Sequence, residues 1–243
     1  MMTQLSLIIP SYNECDNLGL LESKLSAGFH DKANIEIIIV DNGSTDATPE
    51  TLETLLKHTT LKTLRSIRVE QNQGYGYGIL AGCRAAKGDV IAWTHADLQT
   101  DPSDILNALK LYNHQKSNHV FVKGKRKKRP FLDTWFTIGM QWYASWLLKQ
   151  SLSDINAQPK LFSRDFYDRF LTQNAPHDFS LDLYTYYCAK RYGYKILEVP
   201  VEFTDRLHGE AKGGGSFKTK FKLIKRTFAY IHSLAGQLKQ TEK

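Results

Sequence analysis

The sequence predicts an α/β protein built on a doubly wound, mostly parallel sheet. Short, mostly apolar runs recur at Leu5–Ile9, Ile35–Val40 and Val90–Trp93, and Ser66–Glu70 reads as a further strand between them. Between them, leucines and isoleucines fall at helical spacing, so strand and helix alternate along the first half of the chain. Three of the four runs lead into carboxylate-bearing turns and one into a glycine-rich turn, the composition expected at the ligand-binding edge of such a sheet.

Taken in order, Leu5–Ile9 is a first buried strand stopped by Pro10. Leu18, Leu21 and Leu25 mark a helix over Asp16–Ala27. Ile35–Val40 is a second strand, closed by the turn Asp41-Asn42-Gly43-Ser44-Thr45-Asp46. Thr48 is placed to cap the next helix, with Pro49 at its first position. After the third strand, Gly74-x-Gly76-x-Gly78 reads as a turn before a helix at Ile79–Ala86. Val90–Trp93 is the fourth strand, and Asp101-Pro102 opens a helix that runs to Asn113. Beyond residue 115 the pattern loosens. A strand at Val120–Val122 enters the basic loop Lys123–Arg129, and a long aromatic helix covers Phe131–Leu148. Strands at Lys160–Phe162 and Ile196–Val199 flank a helix at Leu181–Tyr192. Gly213-Gly214-Gly215 breaks the chain before a last helix, Ser216–Leu238. The expected organisation is one domain over residues 1–215, with halves meeting at 115 and 116, and a basic amphipathic helix over 216–243.

Bulk properties narrow the classes. With 243 residues, 42% of them hydrophobic, the chain can bury a large core. It has no apolar run of about 18 residues and no basic-then-apolar leader, so neither a spanning helix nor a secretory signal is expected. Cys15, Cys83 and Cys188 are odd in number and scattered, which fits a reducing cytoplasm and excludes a disulfide framework. The net charge of +7 gathers at Lys123–Arg129 and after Lys212. It suits a phosphorylated substrate or an anionic lipid surface; nucleic acid is not expected, because no nucleic-acid motif accompanies the charge.

The chemistry concentrates where the fourth strand ends. In an extended His95-Ala96-Asp97-Leu98-Gln99, alternate side chains share a face, so His95, Asp97 and Gln99 point the same way. Imidazole, carboxylate and amide oxygen suit a divalent cation, Mn²⁺ above Mg²⁺, and a cation there could grip a diphosphate. An ordinary strand-to-turn exit is the alternative. Carboxylates at the other strand ends suit a base or ribose, and glycines such as Gly74 let a backbone approach a sugar or phosphate. A tight turn is the other reading of those glycines.

Several motifs carry a resemblance. Ile9-Pro10-Ser11-Tyr12-Asn13-Glu14 and Val40-Asp41-Asn42-Gly43-Ser44-Thr45-Asp46 resemble the opening signatures of family-2 glycosyltransferases with the GT-A fold. His95-Ala96-Asp97-Leu98-Gln99 resembles the metal motif of their polyprenyl-phosphate branch, the dolichol-phosphate-mannose-synthase-like proteins. Asp154–Phe162 and Glu198-Val199-Pro200-Val201 to Lys212 are similar to that branch's acceptor-side and phosphate-binding segments. The resemblance implies a nucleotide-sugar half over 1–115 and an acceptor half over 116–215. It implies that Pro10, Tyr12, Glu14, Asp41, Asn42, Gly74 and Ala96 line the nucleotide sugar, and that Asp97 and Gln99 hold the cation. Arg126, Arg206 and Lys212 would bind phosphates and, with Asp97, carry catalysis; Asp154, Gln158 and Lys160 would lie on the acceptor side. Two positions depart from the pattern. His95 replaces an aspartate and removes a negative charge, and Asn42 replaces an aspartate common beside Asp41.

The implied reaction moves a sugar from a nucleotide diphosphate to a polyprenyl phosphate with inversion. A lipid phosphate is already anionic, so it needs positioning rather than a base. A glycan hydroxyl acceptor on the same fold is the second reading, and Asp178 or Asp182 could then act as base. A nucleotide-binding module with a degenerate metal site is the third. Aromatic residues Trp135, Trp142 and Trp146 beside the basic loop suit an interfacial helix, as does the stripe Phe217, Phe221, Ile224, Phe228 and Ile231. These features lead to the expectation of a peripheral protein on the cytoplasmic face of a membrane. For both helices, packing against the domain is the alternative.

Overall fold

A computed structural model describes residues 4–127, 131–204 and 225–236. Its strands are β1 (Leu5–Ser11), β2 (Ile35–Asn42), β3 (Leu64–Val69), β4 (Val90–Trp93), β5 (Val120–Lys127), β6 (Lys160–Ser163) and β7 (Lys195–Glu202). The helices are α1 (Cys15–Phe29), α2 (Thr48–His58), α3 (Tyr75–Ala85), α4 (Asp104–Asn113), α5 (Phe131–Leu147), α6 (Arg164–Phe170) and α7 (Ser180–Arg191). The strands form one sheet in the order β3-β2-β1-β4-β6-β5-β7. β6 runs antiparallel to both β4 and β5, and the other pairings are parallel.

Each face of the sheet buries its own core, because alternate residues of a strand point to opposite sides. Leu5, Leu7 and Ile9 of β1, with Ile35, Ile37 and Ile39 of β2, pack against α1, α2 and α4. Ile8, Ile38, Val40, Ile91 and Trp93 pack on the opposite face against α3, α6 and α7. This two-sided burial explains why β1, β2 and β4 read as near-continuous apolar runs, broken only by Ser6 and Glu36 before their polar ends. The register aligns Ser11 with Asp41 and Ile8 with Trp93, so three strand ends open on one edge of the sheet.

Several sequence expectations change. Thr48 is the first residue of α2 rather than its cap; its N–H is accepted by Asp46 Oδ1 at 3.0 Å. The glycine-rich segment lies mostly within α3, which begins at Tyr75. A Cβ on Gly76 would meet the carbonyl oxygens of Pro176 and Asp178 at 2.5 and 2.8 Å, so Gly76 serves close packing rather than a ligand loop. The basic loop is strand as far as Lys127, because β5 continues beside β7 to pair Lys127 with Glu202. The short helix α6 adds to the expected elements; Ser163 Oγ caps it by accepting Phe166 N–H. Of the last helix, residues 225–236 are described as helical, and Ile231, Leu234 and Ala235 are buried in the domain core. That part of the apolar stripe is therefore packed against the domain. Gly213–Gly215, Phe217, Phe221 and Ile224 lie outside the described residues.

Candidate active site

A cavity of about 460 Å³ opens where β1, β2 and β4 end. Pro10, Tyr12, Glu14, Asn42, Gly74 and Ala96 line it, as do His95, Asp97 and Gln99. Arg126 reaches it from β5 and Asp182 from α7. Asn72, Tyr75, Asn156, Phe179 and Phe203 complete much of the wall and are not among the residues that sequence reasoning singles out.

The β1–β2 edge is polar and partly unsatisfied. Asn42 donates through Nδ2 to Gly74 O at 3.0 Å, which ties β2 to the start of α3. Its Oδ1 is buried with no hydrogen-bond partner, as is Ser11 Oγ on the neighbouring strand. Buried polar atoms are rarely left unpaired, and these two lie behind the cavity wall. Asp41 does not line the cavity. Its Oδ1 accepts Ser44 N–H at 2.9 Å and its Oδ2 lies 3.5 Å from Arg68 Nη1, so it builds the turn behind the wall. Glu14 is buried and accepts Asn17 Nδ2 at 2.6 Å.

His95, Asp97 and Gln99 face one space, though not through strand alternation. β4 ends at Trp93, and the following turn places Leu98 in the left-handed region at φ 59°. Asp97 Oδ1 accepts Gln99 N–H at 3.2 Å, and Gln99 is tied by Nε2 to Thr204 O at 3.3 Å. The His95 ring lies 5.7 Å from that of Tyr75, which stacks on Phe179 at 4.8 Å. No group of three His, Cys, Asp or Glu side chains able to hold a metal occurs among the described residues. One imidazole, one carboxylate and one amide form a partial donor set, fitting a cation whose remaining ligands come from a bound molecule.

The acceptor-side residues do not face the cavity, although Asn156 within their loop does. The Asp154 carboxylate accepts Arg126 N–H and Nε–H, both at 2.8 Å, and Nη2–H at 2.5 Å, holding the guanidinium 5.4 Å from the Phe203 ring. Lys160 is fully buried. Its ammonium donates to Ile155 O and Ala157 O at 2.6 and 2.8 Å and stands 3.7 Å from Asp182 Oδ1. Burial pushes its pKa down to about 8, with Asp182 opposing the shift. Gln158 donates to Asp182 Oδ1 at 2.9 Å and to the Tyr75 hydroxyl at 3.3 Å. Trp93 Nε1 donates to the same Asp182 oxygen at 3.3 Å. Asp178, the other base expected, accepts Ser180 N–H and pairs with Arg226 at 2.7 Å. Those bonds hold its carboxyl below the usual range, against the opposing effect of burial.

Two lysines of the basic stretch share one carboxylate. Glu198 pairs with Lys123 at 3.1 Å and with Lys125 at 2.8 Å. Arg126 therefore brings the stretch's charge to the cavity, with Asp154 behind it. Arg206 and Lys212 lie outside the described residues.

The open α/β sheet with a cavity beyond its strand ends has the GT-A architecture that solved structures share. A mannosyltransferase from Pyrobaculum calidifontis, solved with GDP-Man and Mn²⁺, superposes with a TM-score of 0.64 at 19% identity, over 86% of this chain and 59% of that one. Glucosyl-3-phosphoglycerate synthase from Mycobacterium tuberculosis, solved with Mn²⁺, UDP and glucosyl-3-phosphoglycerate, gives 0.74 at 15% identity, over 96% and 80%. The chain belongs to glycosyl transferase family 2, whose family model matches residues 6–181. An undecaprenyl-phosphate 4-deoxy-4-formamido-L-arabinose transferase of Edwardsiella ictaluri is 27% identical over 86% of this chain and 62% of its own length. A dolichyl-phosphate β-glucosyltransferase of Dictyostelium discoideum is 25% identical over 83% and 66%. The chain thus spans less than two thirds of the length of these relatives.

Proposed function

We propose that this protein transfers a sugar from a nucleotide diphosphate to a polyprenyl phosphate, with a divalent cation and inversion at the anomeric carbon. The observation that carries the reading is the convergence of His95, Asp97 and Arg126 on one cavity beyond the ends of β1, β2 and β4. The names of the relatives support a lipid-phosphate acceptor, and the two solved neighbours support a nucleotide donor with Mn²⁺.

In this reading residues 1–115 supply most of the donor site, and 116–215 the acceptor side together with cations for the donor phosphates. Pro10, Tyr12, Glu14 and Asn42, which line the cavity, would surround the nucleoside. His95, Asp97 and Gln99 would hold the cation, which supplies positive charge to the departing diphosphate. Arg126, fixed by Asp154, holds a further positive charge toward the phosphates, and a preset charge needs no reorganisation during reaction. Arg206 and Lys212 are assigned to the same role. The acceptor's own charge makes it the nucleophile, so the chain's part is to orient it.

A peripheral position on the cytoplasmic membrane face belongs to the same proposal. No described helix is long and apolar enough to cross a membrane. Trp142 and Trp146 stand one turn apart on α5 at 77% and 73% exposure, which suits an interface with lipid headgroups.

The test is direct. The protein is incubated with Mn²⁺, undecaprenyl phosphate and a panel of UDP- and GDP-sugars, and the lipid product is identified by mass and its anomeric configuration by NMR. One donor should yield an inverted glycosyl phospholipid, and Asp97→Ala should abolish turnover while keeping its melting temperature. Product only on a glycan hydroxyl would replace the acceptor. Equal turnover by Asp97→Ala would remove the cation site.

A further inference from the structure

The Asp182 carboxylate is buried and lines the cavity, yet Trp93, Gln158 and Lys160 all converge on one of its oxygens, Oδ1. They come from three elements, β4, the loop before β6, and β6 itself, so this oxygen is fixed from several directions. Lys160 is fixed in turn by two backbone carbonyls, which leaves it no reach into the cavity. Oδ2 takes none of these bonds. The Tyr75 hydroxyl adjoins the same carboxylate, whose charge helps to raise the Tyr75 pKa, though burial is the larger cause.

The position of this group limits what it can bind. Tyr75 adjoins Asp182 through its hydroxyl and has its ring 5.7 Å from that of His95, and all three line the one cavity, so the carboxylate shares a wall with the proposed diphosphate site. An anion there repels phosphate oxygens and accepts from O–H or N–H groups. A sugar attached to the diphosphate offers several hydroxyls. An oxygen whose twin accepts from Trp93 and Gln158 and faces the Lys160 ammonium at 3.7 Å is suited to reading where one of them stands.

We infer that Asp182 is a sugar-recognition residue, whose Oδ2 accepts a hydroxyl of the transferred sugar while Lys160, Gln158 and Trp93 hold the carboxylate in place. The inference rests on the glycosyltransferase reading and deepens it. The Asp154–Phe162 motif thereby gains a second role, since besides presenting Asn156 and anchoring Arg126 it fixes the anion that selects the sugar.

Calorimetry with Mn²⁺ separates the possibilities. Wild type and Asp182→Asn are titrated with UDP, GDP, UDP-glucose, UDP-N-acetylglucosamine and GDP-mannose, then with monodeoxy forms of whichever sugar donor binds. Wild type should lose about ten- to a hundredfold in affinity for one deoxy donor, the cost of a hydrogen bond to a charged acceptor. Asp182→Asn should lose a similar factor for the parent donor and nothing further for that deoxy donor, with nucleoside diphosphate affinity unchanged. If Asp182→Asn does not fold, Asp182→Glu keeps a charge opposite Lys160 and should show the same selective loss. The wild-type deoxy series stands without any variant. An equal loss for every deoxy donor in the variant, or no single penalised hydroxyl in wild type, overturns the inference and leaves the enzyme reading intact. Binding of nucleoside diphosphates without any gain from an attached sugar overturns Asp182 recognition alone. If wild type binds none of these molecules, the glycosyltransferase reading falls and the inference with it.

Discussion

Asp154→Asn is the most informative single change, because one carboxylate holds Arg126 by its backbone and its guanidinium together. Asparagine is chosen because Asp154 sits at φ 44°, a left-handed conformation that asparagine tolerates and alanine does not. The substitution removes the negative charge and turns one acceptor into an N–H₂ that opposes an arginine donor. Both side chains are nearly buried, at 11% and 14% exposure, so water compensates little. Breaking a fully buried pair costs about 3–5 kcal/mol. With one oxygen kept as acceptor and slight solvent access, about 2–3 kcal/mol is expected here. For a chain of this length that lowers the melting temperature by about 4–12 °C. The assay is thermal unfolding of wild type, Asp154→Asn, Arg126→Met and the double variant. A coupling energy of about 1.5 kcal/mol or more supports the argument. Additive losses, with coupling under about 0.5 kcal/mol, would refute it.

Three further outcomes follow from particular contacts. Gly76→Ala should destabilise by about 1–3 kcal/mol through the Pro176 and Asp178 carbonyls, whereas Gly139→Ala, with open space around it, should stabilise by about 0.5–1 kcal/mol; denaturant unfolding compares them. Asp104 carries a carboxyl raised to about 6, by burial first and then by Asp101 and Glu202. The folded chain therefore binds a proton that the unfolded chain has released, and stability present below the ordinary carboxyl value of 3.8 is lost as pH rises through 6. Asp104→Asn should then gain about 1 kcal/mol at pH 8, after discounting for solvent screening, and nothing at pH 3.5, as melting curves at both values would reveal. Replacing Trp142 and Trp146 together by Ser should reduce flotation with anionic liposomes at least severalfold while leaving the melting temperature within a degree or two; undiminished flotation would place lipid contact elsewhere.

The sheet's first half is legible because its strands are buried on both faces, so β-branched runs such as Ile35–Val40 announce themselves without a partner. β5 reads too short in the sequence because Lys123, Lys125 and Arg126 look like a solvated loop. Their partners, Glu198 and Asp154, lie far along the chain, and nothing local shows that a lysine such as Lys123 is wholly buried. Glycine spacing at Gly74–Gly78 signals closeness to something, and only the fold shows that for Gly76 it is the backbone at 176–178. The cation turn is legible for an incomplete reason: its side chains converge through a left-handed Leu98, not through alternation. Tyr75, Phe179 and Phe203 carry no local signal, since an aromatic in a core and an aromatic in a cavity wall look alike before the chain is folded.

The place of β6 has a consequence for how the chain must be made. A strand formed only at residue 160 is inserted between β4 and β5, and it alone connects the two groups of parallel strands. Until the ribosome has released it, β4 presents a bare apolar edge of the kind that recruits strands from other chains. A fragment ending near residue 115 would keep that edge permanently, so excision of the amino-terminal half invites aggregation even though it holds most of one core. The late strand acts as a keystone: the two parallel groups join only when a stone cut after both β4 and β5 is set between them.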